Sequence, residues 1–230
     1  MNRLTQLVSV WLAPVGLLLL AAGFFAVARY FPVPSPGWTA SRIADFYRDH
    51  TTRTRLGLLL CFIGVGVWGP FVAVLTRQML RINPPRNPMA LLQMIAGTAA
   101  WIFLLLPLLV LSAAAFRPDR PVAITQALHD LGWILFIMPF VPFVVQNVSI
   151  GVAILQDKAA NPVFPRWVGY FNFWVAFLFL PGGLLTFFKG GPFAYNGLLA
   201  FWIPVFVFCA WLVVMPWVTA QAVLTEPEPD

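Results

Sequence analysis

Two histidines are the sharpest chemical features of this chain, because imidazole serves as base, metal ligand or proton carrier and is otherwise rare in so apolar a sequence. They are His50 and His129, and the 230 residues hold no third. Thr125, Gln126 and Trp133 stand at i−4, i−3 and i+4 from His129, a spacing that places them on its face of a helix. Asp130 comes next in sequence, so it points about 100° away round the same helix. Asp45 and Asp49 accompany His50. The chemistry these types allow is a metal, quinone or proton site, with nitrogen from His129 and His50 and oxygen from Asp130 or Asp49. The plainer reading has them at a membrane interface, paired with arginines and orienting a loop.

A second polar group, Gln93, Gln146, Asn147, Ser149 and Asn172, falls inside apolar runs. A polar side chain in hydrocarbon is expensive unless it is paired or used. The depths of these residues allow them to meet. They would then line a substrate path beside helix breaks at Pro139, Pro142 and Pro181-Gly182-Gly183, as in transporters. Read structurally, they hold helices together through hydrogen bonds worth about 0.6 kcal/mol each.

The elements that must carry these residues follow from composition. The chain is 60% hydrophobic and 10% charged, whereas a soluble domain carries about a quarter charged residues. Spans of about 20 apolar residues fit about six times. The sequence therefore predicts an all-α membrane bundle: one domain over 1–225 and a disordered acidic tail, Glu226 to Asp230. The expected spans are Leu7–Ala28, Leu56–Leu80 with a kink at Trp68-Gly69-Pro70, Met89–Phe116, Val122–Leu155, Trp167–Phe188 and Gly197–Val223. Ala26-Val27-Ala28 resembles a signal-peptide cleavage site, but the run before it is too long for a signal core. Between the first two spans, Thr39 or Ser41 caps a short amphipathic helix. It gathers Trp38, Ile43, Phe46 and Tyr47 on one face and is expected to lie flat at the headgroups. A faint repeat is visible: Asn87-Pro88 precedes Leu106-Pro107 by the distance that separates Asn161-Pro162 from Leu180-Pro181, with Trp101 and Trp174 between. It would make the second and third spans a duplicate of the fourth and fifth.

The net charge of +6 comes from single or paired arginines at the edges of apolar runs, which anchors the chain to lipid headgroups and points away from nucleic acid. Six spans put both termini on one side. Arg3, Arg77, Arg81, Arg86, Lys158 and Arg166 lie there, with Arg29, Arg42, Arg48, Arg53, Arg55, Arg117, Arg120 and Lys189 opposite. A plain count favours termini outside; the crowding of Arg77, Arg81 and Arg86 in one short loop favours the cytoplasm, and that is the orientation expected. Cys61 and Cys209 sit in apolar runs, outside any ligand pattern. The sequence has no P-loop, HExxH, GxSxG, histidine pairs for haem or intramembrane lysine for a Schiff base. No cofactor or metal is therefore assigned, and an enzyme is disfavoured.

The phrase Phe46-Tyr47-Arg48-Asp49-His50-Thr51-Thr52-Arg53, between the first two spans, resembles the FYxxHxxR pattern of uncharacterised multi-pass bacterial membrane proteins. The resemblance implies a bacterial inner membrane and a purpose for Phe46, Tyr47 and His50 beyond solvation, and it carries no activity. The expected function is an accessory or binding subunit in the bilayer, engaging a lipid-like small molecule, a partner membrane protein or a second copy. A small secondary transporter is the alternative.

Overall fold

The computed structural model describes residues 2–82 and 88–226. Seven helices build it, and six are long and apolar enough to cross a membrane. They are α1 (Arg3–Val27), α3 (Thr51–Met79), α4 (Pro88–Phe116), α5 (Val122–Gln156), α6 (Arg166–Phe187) and α7 (Leu198–Leu224), with α2 (Ala40–Asp49) between the first two spans. Large apolar side chains such as Leu18, Ile95, Phe177 and Phe206 cover the outside, a surface suited to acyl chains as solvent.

Helix α1 starts on the Asn2 side chain, which accepts a hydrogen bond from the Leu4 amide. It crosses α3 by glycine on glycine. A Cβ on Gly16 would stand 2.2 Å from the Gly64 carbonyl oxygen, and one on Gly23 would stand 2.5 Å from that of Gly57. The pairs 16/64 and 23/57 are two helical turns apart on antiparallel helices, so the backbones touch along one continuous seam.

As expected, α3 breaks between Gly66 and Gly69, where Pro70 cannot donate to the preceding turn. Trp101 of α4 seals the break: its ring fills the space over Gly69 and its indole N–H donates to the Val65 carbonyl at 2.7 Å. Trp68 at the same point donates to the Ala13 carbonyl of α1 at 3.0 Å. Helix α5 breaks once, at Pro139, between Ile137 and Phe140. Pro142 makes no second break, because it falls in the first turn of the restarted helix, where no backbone donor is needed. The α5 break faces the start of the 3₁₀ turn of α6, where Gly182 and Gly183 leave room for Ile137 and Phe140.

The proposed repeat shares one feature: α3 and α5 each run 16 residues before breaking. Its markers diverge. Pro107 lies inside a continuous α4, whereas Pro181 opens the 3₁₀ turn; Trp101 is packed on α3, whereas Trp174 faces outward. Asn87 lies outside the described residues.

Helix α2 is capped by Thr39, whose hydroxyl accepts from the Arg42 amide. It does not simply float at the headgroups. Ile43, Ala44 and Tyr47 are buried against the bundle, with α5 as the main neighbour. Arg48 donates to the Pro118 carbonyl, and Arg55 donates to the Ala115 and Phe116 carbonyls at the end of α4, where a cation complements the helix dipole.

At the opposite end a polar clamp ties α1, α3 and α7. The Glu226 carboxylate accepts from Gln6 (2.9 Å), Gln78 (3.2 Å) and Arg77 (2.7 Å), and its carbonyl accepts from Arg3 (2.9 Å). Gln78 also donates to Gln6, and Arg81 bonds Gln78 and the Ala222 carbonyl. Glu226 therefore belongs to the fold and not to a disordered tail; residues 227–230 lie outside the described residues. Burial pushes its carboxyl up, but the hydrogen bonds from Gln6, Gln78 and Arg77, with the Arg77 charge, outweigh it and hold the group below its ordinary value. A depressed pKa contributes stability above the unfolded value that is lost as pH falls through the folded one. Melting temperature should thus decline on acidification below the ordinary glutamate range, and Glu226→Gln should flatten that decline while lowering the neutral-pH melting point.

Candidate functional site

The buried chemistry gathers at the end of the bundle opposite the clamp. Tyr30 is delivered by a left-handed residue, Arg29 (φ 55°), that turns the chain inward after α1, and its amide returns to the Phe24 carbonyl. Tyr47 comes from the buried face of α2. Thr125, His129 and Trp133 form one stripe of α5, buried at 0%, 1% and 1% exposure. Tyr195 comes from the loop between α6 and α7, which folds back through Gly191 (φ 76°) and hydrogen bonds from Ala194 to Gly191 and from Leu199 to Pro192.

These side chains form a cage of rings. Trp133 stacks on Tyr195 at 5.4 Å and meets Tyr30, Phe24, Phe136 and Phe201 edge-on at about 6 Å. His129 lies 6.1 Å from Trp133 and 6.4 Å from Tyr195. Its Nδ1 is 2.9 Å from the Tyr47 hydroxyl, which lies 3.4 Å from that of Tyr30. The proton order that leaves the fewest buried groups unpaired runs from Tyr30 to Tyr47 to Nδ1, which makes His129 Nε2 a donor. Burial raises the pKa of Tyr30, Tyr47 and Tyr195, reinforced at Tyr195 by the adjacent Asp130 carboxylate, so all three remain protonated.

Three atoms here have no hydrogen-bond partner among the described residues, Thr125 Oγ1, His129 Nε2 and Trp133 Nε1, whereas the Tyr195 hydroxyl donates to the Asp130 carboxylate. Buried polar groups are almost always paired, because an unpaired one costs about 1–3 kcal/mol. Three along one stripe of α5 therefore mark a place where the protein's own bonding is incomplete.

Immediately behind the cage lies an apolar cleft of about 110 Å³ between α1 and α7, with the α5 and α6 breaks as its floor. Phe24, Phe136 and Phe201 serve both: they line the cleft and they touch Trp133. Leu17, Phe140, Phe208 and Gly182 complete much of the wall, and Phe25 and Cys209 stand on its partly exposed rim.

The sequence-predicted residues divide. His129 and Trp133 are central; Gln126 and Asp130 are half-buried on the flanks, Asp130 beside the Tyr195 hydroxyl. Tyr195 thus approaches both His129 and Asp130 although those two point apart on the helix. Asp49 and His50 do not join them. They stay exposed at the end of α2, and Tyr47 is the residue of that helix that reaches His129. No group of three or more histidine, cysteine or acidic residues among the described residues is placed to hold a metal.

The polar amides do not form one cluster. Gln93 accepts from Thr76 of α3 at 2.8 Å; Asn172 accepts from the Trp211 indole at 3.0 Å and reaches Met215, both on α7; Asn147 donates to its own helix at Phe143. Gln146 packs over Gly97 of α4. Sequence reading missed Tyr30, Tyr195 and the cleft; the signal available was a buried histidine and tryptophan one turn apart, whose ring nitrogens require partners from elsewhere in the chain. Comparison of the chain with protein-family models, curated proteins and solved structures finds no match.

Proposed function

We propose that this protein is a binding subunit of the bilayer that takes up a lipid-like, chain-bearing small molecule in the cleft between α1 and α7. The observation that carries this reading is the cleft itself: about 110 Å³, apolar, opening between two membrane-spanning helices where acyl chains are the solvent. The resemblance of the first loop to bacterial multi-pass proteins supports a bacterial inner membrane, and the crowding of Arg77 and Arg81 near the clamp supports cytoplasmic termini. The ligand is handed on to, or sensed with, a partner membrane protein or a second copy. Transport along Gln146, Asn147 and Asn172 is the weaker reading, because Asn147 and Asn172 bond within and between helices instead of facing one path.

The test is to fill the cleft. Cys209 sits on its rim, half-buried, and its Cys209→Trp variant places an indole in the opening. Native mass spectrometry of protein extracted gently from its membrane should show a retained lipid adduct on the wild type and at least a tenfold loss in the variant. Equal retention by both would sink the proposal.

A further inference from the structure

The structure assigns to the buried ring N–H groups of His129 and Trp133 the neutral carbonyl oxygen of the molecule whose chain occupies the cleft. This inference rests on the cleft reading and goes beyond it by naming the headgroup chemistry. The argument is one of donor and acceptor balance. The Trp133 indole N–H is a donor only. The His129 Nε2 is a donor in the proton order that leaves the fewest buried groups unpaired, in which the Tyr47 hydroxyl 2.9 Å from Nδ1 gives its proton to that nitrogen. The Thr125 hydroxyl, one turn from His129, carries a proton as well, whereas the Tyr195 hydroxyl gives its proton to the Asp130 carboxylate. His129 Nε2, Trp133 Nε1 and Thr125 Oγ1 have no partner among the described residues, and each side chain is at most 1% exposed.

The two ring N–H groups only donate, and neither has an acceptor among the described residues. A ligand oxygen without its own proton supplies one, and lone pairs on a carbonyl accept two such bonds at once. Charge narrows the choice. Asp130 stands beside Tyr195, so an anionic carboxylate or phosphate would meet a like charge, with Lys189 as the cation near enough to Asp130 to act on it. A neutral carbonyl meets no such repulsion. Position narrows it further, since the rings of Phe24, Phe136 and Phe201 line the cleft and also touch Trp133. A chain lying in the cleft reaches the cage with its head by turning those rings aside. Two kinds of bilayer molecule present this chemistry: a chain-bearing quinone and an acylglycerol ester.

The experiment uses the full-length protein in detergent and three probes: decyl-benzoquinone, dioleoylglycerol and decylbenzene, which has a chain and ring but no carbonyl. Native mass spectrometry over graded probe concentrations gives the affinities. At least one carbonyl probe should bind tenfold or more above decylbenzene, and the stronger of the two names the source. Trp133→Phe removes a donor and keeps an aromatic ring, so it should weaken that probe about fivefold and leave decylbenzene unchanged, whereas Tyr195→Phe, whose lost hydroxyl served Asp130, should leave the probe ranking as it was. Thermal melts confirm that both variants fold. Equal binding of all three probes, or unchanged carbonyl affinity in Trp133→Phe, overturns the headgroup assignment. If Cys209→Trp still abolishes binding in that case, the cleft reading stands alone; if no probe binds the wild type, both fail.

Discussion

Alanine at Gly16 should be among the most damaging single changes in this protein, with a melting point about 10 °C lower in detergent. The added Cβ would lie 2.2 Å from the Gly64 carbonyl oxygen and 2.4 Å from the Trp68 indole nitrogen, which itself donates to Ala13. Neither neighbour is a free end: one is helix backbone, the other a ring held by a hydrogen bond. Overpacking of this kind costs about 3 kcal/mol, at the upper end of its usual range. Gly66→Ala is the matched control, two residues from Gly64 on the same helix, where a Cβ would meet nothing within 4 Å. It should be neutral or slightly stabilising, since alanine favours helix over glycine. Similar losses from both substitutions would show that the close approach at the seam is not what makes Gly16 intolerant of a side chain.

Tyr47→Phe should cost about 2 kcal/mol, against little for Tyr30→Phe. Removing the Tyr47 hydroxyl strands His129 Nδ1 in a site that is 1% exposed, and a stranded buried group forfeits its full desolvation energy. Removing the Tyr30 hydroxyl breaks only a long contact of 3.4 Å and leaves the Tyr47 to His129 bond in place. Thermal melts give the ranking. A spectroscopic check is available because the chain holds only two histidines: ¹⁵N shifts of labelled imidazole should report His129 protonated on Nε2 in the wild type and a changed tautomer balance in Tyr47→Phe. An unchanged tautomer would refute the proton order from Tyr30 to Tyr47 to Nδ1.

The spans were legible because hydrocarbon imposes one rule on every residue along about 20 positions, so composition alone reveals them. The α3 break was legible for a local reason, the missing N–H of Pro70. Pro142 misled, because the same residue is harmless in a first turn, and only the restart at Phe140 shows that it occupies one. The cage was half legible. The stripe Thr125, His129 and Trp133 follows helical period, but Tyr30 and Tyr195 arrive from loops far away in sequence, steered by positive-φ residues at 29 and 191. No periodicity encodes such arrivals. Glu226 was misread as tail because acidic, proline-rich composition resembles disorder; Gln6 and Gln78, both fully or nearly buried, were the hint that a polar partner had to come to them.

The clamp and the cleft lie at opposite ends of the same helices, and this gives the bundle a lever. Glue at Glu226 fixes α1, α3 and α7 at one end, while the glycine seam makes α1 and α3 a single arm. Helix α1 is 25 residues long, which is about 37 Å at 1.5 Å per residue. A tilt of about 5° about the clamped end therefore swings the far end through about 3 Å, close to the thickness of one aromatic ring. Phe24 rides on that far end. A displacement of that size is on the scale of the ring of Phe24, which touches Trp133 and lines the cleft.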